Sequence, residues 1–270
     1  MTSAAEQLLP GAGLRADRMP GHWLLARMGK RVLRPGGREL TNKLLDSLDI
    51  RPTDHVVELA PGLGSTTNLV LACNPASYLG VDRDPVSAER VGAAMSGPNR
   101  RVIQASASET GAADASTDVV FGEAYLTMQP AAAKTRILAE LARITRPGGR
   151  FGIHEIALVP DSLSPERVEA ICSDLGSEIH VNVSPLTVTG WKQLIEDAGF
   201  EVRQQFFAPL HLLEPRRLVA DEGLWGAIRF ASRVARNGDA RRRVLAMRSA
   251  MRRNASSLQA CSLVAVRRED

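Results

Sequence analysis

The residues best equipped for chemistry form a short run, Glu58-Leu59-Ala60-Pro61-Gly62-Leu63-Gly64, and an acid twenty positions beyond Gly62, Asp82. The run follows an apolar stretch and leads into Ser65 and a helical pattern. Small residues at that place let the backbone turn tightly and pass close to a ligand. A carboxylate at the end of the following strand, about 20 residues on, is placed to accept hydrogen bonds from a ribose diol.

Two kinds of ligand use this arrangement. A dinucleotide is held by Gly-x-Gly-x-x-Gly, whereas Thr67 stands in the third glycine's place and the Glu58 carboxylate would lie beside a pyrophosphate. Glu58 suits a ligand bearing an ammonium and a sulfonium. Further along, Gly122-Glu123-Ala124-Tyr125 and His154-Glu155 follow apolar runs, and open α/β sheets place their sites at such strand ends. Glu123 is expected to contact either the bound cofactor or the molecule it reacts with, and His154 to act as a base, because an imidazole titrates near neutral pH. Tyr125 reads as pocket wall. His180 and His211 fall in connections able to cover the site, while His22 and His55 read as structural or exposed.

The elements that must hold these groups alternate. Strands are predicted at 55–59, 77–81, 101–104, 118–121, 150–158, 200–207 and 262–267, with helices at 65–73, 85–95, 131–144 and 187–198 between them. Strands separated by helices mean βαβ units and a mainly parallel, doubly wound sheet. Before it, residues 1–20 read as a tail and His22–Leu33 and Glu39–Leu48 as amphipathic helices, split by Arg34-Pro35-Gly36-Gly37. Between the last two strands lies a helical block whose Leu224, Ala227, Ile228, Ala231 and Val234 share one face. The divisions are thus 1–50 as tail and cap helices, 51–211 as the α/β domain, 212–257 as a helical insertion and 258–270 as the final strand. With the Trp23 helix, the insertion is expected to form a lid whose Leu224 and Trp225 line an acceptor pocket.

With these motifs in place, the sequence resembles the class I S-adenosylmethionine-dependent methyltransferases, of the small-molecule type seen in ubiquinone and menaquinone biosynthesis. The resemblance covers about Leu40 to Phe207 plus the last strand. It implies a Rossmann-like sheet of seven strands with an antiparallel last strand. It also implies that S-adenosylmethionine is held at its methionine end by Glu58, Ala60, Gly62, Gly64 and Glu123, and at its ribose by Asp82 with Arg83 beside it. Its adenine would be capped by Ser106 and Ala107. The family usually has glycine where Ala60 stands and an acid where Ser106 stands. The implied reaction is a metal-independent in-line methyl transfer to a small molecule, with Glu123 and His154 as catalytic groups and Tyr125, His154, His180 and Trp225 around the acceptor. An NAD(P)-dependent reductase and a non-catalytic cofactor-binding or RNA-associated module are the alternatives.

Composition narrows the partners. With 44% hydrophobic and 24% charged residues the chain has the balance of a soluble globular protein. Three cysteines, Cys73, Cys172 and Cys261, form neither a disulfide framework nor a metal-binding cluster, and fit a reducing cytoplasm. No export signal or membrane span is read in the sequence. The net charge of +4 is uneven, since residues 224–270 carry 11 Arg against three acids. That block reads as the solvated side of amphipathic helices. The absence of Asn/Asp-Pro-Pro-aromatic and Pro-Cys motifs, and of aromatics among the arginines, argues against a nucleic-acid substrate.

Overall fold

The apolar runs and helical periods resolve, in a computed structural model that describes residues 9–11 and 13–269, into a sheet wrapped by helices. In chain order these are α1 (Gly21–Arg27), α2 (Gly37–Leu48), β1 (His55–Leu59), α3 (Ser65–Ala72), β2 (Ser77–Asp82), α4 (Pro85–Ala93), β3 (Arg100–Gln104) and β4 (Thr117–Glu123). There follow α5 (Ala131–Ile144), β5 (Thr145–Leu158), α6 (Pro165–Ile179), β6 (Leu186–Thr187), α7 (Val188–Asp197), β7 (Phe200–Pro209), α8 (Pro215–Arg236), α9 (Gly238–Arg253) and β8 (Leu258–Arg267).

The sheet runs β3-β2-β1-β4-β5-β8-β7, with the two-residue β6 paired to β5. Strands β1 to β5 are mutually parallel, and β8 runs antiparallel between β5 and β7. The expected doubly wound sheet with an antiparallel last strand is therefore present. Only β6 adds to it, and two residues carry no readable period.

One face packs α5 and α7 against Val57, Val120, Phe151 and Leu263 around the fully buried Trp191, whose indole N–H donates to the Ile156 carbonyl at 2.9 Å. The other packs Leu44, Leu48 and Val70 against Val56, Val119 and Phe121. Helix α2 sits so close there that a Cβ on Gly152 would lie 2.6 Å from Leu44 Cδ1. A third apolar cluster joins the N-terminal segment to the insertion through Met19, Leu24, Phe230, Val244 and Met247. This cluster rests over the carboxyl ends of the strands. Among the described residues, no helix is long and apolar enough to cross a membrane.

Four expectations change. Helix α1 stops at Arg27 because Met28 caps it and Gly29 turns the chain at φ +102°, so residues 30–33, where the helix was expected to continue, join 34–36 in a strap. The part of the expected tail that lies within the described residues is docked: Met19 is buried, and Arg243 donates to the carbonyls of Ala16 and Met19. Helix α6 was not expected, although Ser164 caps it and Pro165 starts it, and Val168, Ile171 and Leu175 recur at helical spacing. Helix α8 breaks at Gly223 (φ 73°, ψ 167°) and then buries Phe230 and Val234, which turns Leu224, Trp225 and Ile228 outward.

Candidate functional site

Strand β1 delivers Glu58 to its carboxyl end as a buried carboxylate. One oxygen, Oε2, accepts from Thr67 Oγ1 at 2.8 Å and Tyr78 Oη at 2.6 Å. Gly80 pairs with Glu58 across the ladder, and its missing side chain leaves room for Tyr78, because a Cβ there would stand 3.2 Å from the phenol oxygen. Burial pushes the Glu58 pKa up to about 7 against the lowering effect of those two donors. A cation placed against it would restore the charged form.

The loop after β1 turns through left-handed backbone at Ala60 (φ 51°), Gly62 (φ 56°) and Gly64 (φ 76°). The usual glycine at the first position is thus explained, and Ala60 carries a strain of about 1–2 kcal/mol there. Asp82, at the end of β2, accepts from the Gly62 amide at 3.1 Å and the Asp84 amide at 2.9 Å, which ties the loop to the second strand. Burial raises its pKa.

These groups line one cavity of about 820 Å³, together with Arg83, Ser106, Ala107, Glu123 and Tyr125. Gly64 does not line it, and instead caps α3. The cavity has two unlike ends. Around the loop are the carboxylates of Glu58 and Asp82. Away from it the wall is apolar, with Val183, Leu210, Leu212, Met247 and Met251. Ligand sites occupy roughly 300–1,000 Å³, so this volume stands near the upper end.

Glu123 reaches the cavity wall, but its oxygens are already occupied. Oε1 accepts from Thr41 Oγ1 at 2.6 Å, lies 2.8 Å from His154 Nδ1 and 3.2 Å from Arg34 Nε, and Oε2 accepts from Thr66 Oγ1. Burial alone would raise its pKa, yet Arg34, His154 and Thr41 hold it down to about 2. His154 is fully buried and lies outside the cavity. Its Nδ1 faces the Glu123 carboxylate and its Nε2 the Pro35 carbonyl. Both ring nitrogens thus face protein acceptors, and His154, expected as a base, stands away from the cavity wall.

Two further residues lie elsewhere. His180 ends α6 in left-handed backbone and is exposed, and Trp225 is 77% exposed on α8; neither lines the cavity. The expected lid lining by Leu224 and Trp225 is replaced by Leu212 and by Met247 and Met251 of α9. From the N-terminus come Trp23 and His22, the latter being the imidazole that lines the cavity among the described residues. A Cβ on Gly62 would stand 4.0 Å from the Trp23 ring, so α1 covers the glycine loop. Burial lowers the His22 pKa to about 4, which keeps it neutral.

Sequence reasoning also missed Glu155 as a loop holder. It is buried in β5 and accepts the amides of Tyr125, Leu126 and Thr127 at 2.9, 2.7 and 3.0 Å, with Thr127 Oγ1 at 2.6 Å. Burial raises its pKa while these donors oppose the rise. It fixes the wall after β4, where Ala124 turns at φ 55°. Among the described residues, no group of three or more His, Cys, Asp or Glu side chains could hold a metal ion.

The donor set fits S-adenosylmethionine. The Glu58 oxygen not engaged by Thr67 and Tyr78 offers a buried carboxylate to a cationic centre, and Asp82 offers a second carboxylate at the edge of the loop, where a ribose diol is bound in such sheets. A pyrophosphate would meet two buried carboxylates.

Comparisons agree with that fit. A family model described as a methyltransferase domain matches residues 56–149. An uncharacterized protein of Haemophilus influenzae is 33% identical over 215 residues, spanning 78% of this chain and 83% of its own length. The 27-O-demethylrifamycin SV methyltransferase of Amycolatopsis mediterranei is 25% identical over 166 residues, 60% of this chain and 59% of that enzyme. Among solved structures, a sarcosine dimethylglycine methyltransferase from Galdieria sulphuraria, described there as putative, superposes with a TM-score of 0.66 at 16% identity, over 85% of this chain and 84% of that one. The geranyl diphosphate C-methyltransferase of Streptomyces coelicolor, bound to S-adenosyl-L-homocysteine, gives 0.61 at 14% identity, over 84% and 76%.

Proposed function

The chain belongs to the class I S-adenosylmethionine-dependent methyltransferases, and on that premise we propose that it methylates a small organic acceptor with an extended apolar body. The observation that carries this reading is the division of one cavity into a carboxylate end and an apolar end. The cofactor supplies an electrophilic methyl group on a sulfonium. The residues of this chain bind and orient the two reactants.

At the carboxylate end, Glu58 would hold the cofactor's cationic methionine portion, and the Asp82 carboxylate, which accepts the Gly62 amide, would hold the ribose hydroxyls. Ser106, whose hydroxyl is bonded to Ser108 at 2.8 Å, would flank the adenine with Ala107. Glu155 holds the Tyr125–Thr127 backbone as a rigid side of the cavity. Glu123, with His154 and Arg34, braces the strap at Pro35 against β4 and β5. At the apolar end, Met247 and Met251 meet Leu210 and Leu212, and exclude water from the reacting atoms. Methionine's flexible thioether suits a wall that must fit the body of an acceptor.

The reading is tested by incubating the protein with methyl-labelled cofactor and separate organic and aqueous cell extracts. Label is expected in an organic-extractable product, and Met251→Asp is expected to abolish that transfer while leaving S-adenosylhomocysteine binding intact. Transfer only to water-soluble products, unchanged in Met251→Asp, would contradict it.

A further inference from the structure

Helix α8 is amphipathic in an unusual sense. Beyond the break at Gly223 it buries Phe230 and Val234 against the body of the protein. Its outer face then carries Leu224, Ile228, Ala231 and Ala235 at helical spacing, with Trp225 beside them. Leu224 is 60% exposed, Trp225 77% and Ile228 49%. Leaving a leucine, a tryptophan and an isoleucine side by side in water forgoes apolar burial that a soluble surface normally avoids.

The rim of this stripe is cationic. Between Gly223 and Gly238 the chain has three Arg and no acid. Arg229 and Arg236 are exposed, and neither has an ion-pair or hydrogen-bond partner among the described residues. Arg233 reaches the Arg27 carbonyl at 3.5 Å. Elsewhere on the insertion Arg248 and Arg252 pair with Glu214 and Arg253 with Asp174, while Arg216 and Arg241 are exposed like Arg229 and Arg236. Two arginines without a partner among the described residues thus border the exposed stripe.

We propose that this outer face of α8 docks on an anionic lipid bilayer surface, with Leu224, Trp225 and Ile228 entering the headgroup and acyl boundary and Arg229 and Arg236 meeting the lipid phosphates. A helix with an apolar stripe bearing Trp and Leu, and arginines along its edge, lies in the plane of such an interface. Charge complementarity selects this occupant. A second copy docked through the same face would bring two like-charged arginine rims together. RNA would satisfy the arginines and leave the stripe in water. The proposal stands on this surface alone and is independent of which acceptor is methylated.

The test is co-sedimentation of the full chain with phosphatidylcholine vesicles prepared with and without phosphatidylglycerol. Binding is expected to the phosphatidylglycerol vesicles, weakening as salt rises. Arg229→Gln and Arg236→Gln are each expected to weaken it about five-fold, corresponding to about 1 kcal/mol per charge near such a surface. The triple variant Leu224→Ser, Trp225→Ser, Ile228→Ser is expected to abolish it while keeping the wild-type melting temperature, since the three side chains are exposed. Failure of the wild type to sediment, or sedimentation unchanged in the triple variant, would overturn the proposal. So would a concentration-dependent dimer that the triple variant abolishes, because it would assign the face to a second copy.

Discussion

His154 Nδ1 lies 2.8 Å from Glu123 Oε1, and the Nε2 of the same ring faces the carbonyl of Pro35, 119 residues away along the chain. The ring therefore joins β4, β5 and the N-terminal strap at one buried point. The strap it holds contributes Arg31, Leu33, Arg34 and Pro35 to the cavity wall.

His154→Ala removes a donor from a buried carboxylate that would keep only Arg34 and two threonines. Stability is expected to fall by about 1–3 kcal/mol, the loss that follows when a buried acceptor is deprived of a hydrogen-bond partner. Denaturant unfolding measures it. Methyl transfer by the remaining folded protein should retain its pH profile, whereas loss of a general base would lower the rate by roughly 10²–10⁴-fold.

Glu58 makes cofactor binding depend on pH. Its pKa of about 7 in the folded protein stands above its ordinary 4.5, so the folded state holds more protons than the unfolded state between those values. This group alone therefore makes stability fall as pH rises through that window. A cationic ligand pairs with the ionised form, so binding should release a proton and tighten as pH rises through 7. Calorimetry in buffers of different ionisation enthalpy checks the proton release, and Glu58→Gln should remove it.

The loop's geometry was legible because it is local. Glu58, Gly62, Gly64 and Asp82 lie on consecutive strand, turn and strand, and their spacing along the chain sets their spacing in space. The strap was not legible for the opposite reason. Arg34, Pro35 and Gly37 find their partners at Glu123, His154 and Asp221, and no period in the sequence links such distant positions. His22 read as structural or exposed, because only the fold of α1 over Gly62 brings it to the cavity. The Leu224 to Val234 face illustrates a third case: the helical spacing was right, but the break at Gly223 and the burial of Phe230 decide which side faces inward.

Ala60 sits at φ 51° where a side chain is strained. Ala60→Gly should raise stability by about 1 kcal/mol, since glycine occupies left-handed backbone without the Cβ penalty. The midpoint of urea unfolding checks it, and cofactor affinity should not fall.

Gly37 is held against the insertion. At φ 64°, a Cβ there would lie 2.2 Å from Asp221 Oδ1. Asp221 is buried beside Lys30 at 3.7 Å and accepts from the Arg38 amide at 3.1 Å. Gly37→Ala should therefore detach the strap from α8. Limited proteolysis should cut between residues 28 and 38 in the variant and leave the wild type intact.

The central claim is that the cavity bordered by the Ala60–Gly64 loop and Asp82 binds S-adenosylmethionine. Titration calorimetry with S-adenosylhomocysteine on the wild type and on Asp82→Ala addresses it most directly. One molecule should bind per wild-type chain, and Asp82→Ala should bind at least about ten-fold more weakly, a loss of about 1.4 kcal/mol, with the fold intact by circular dichroism. No binding by the wild type, or equal binding by the variant, would contradict the account.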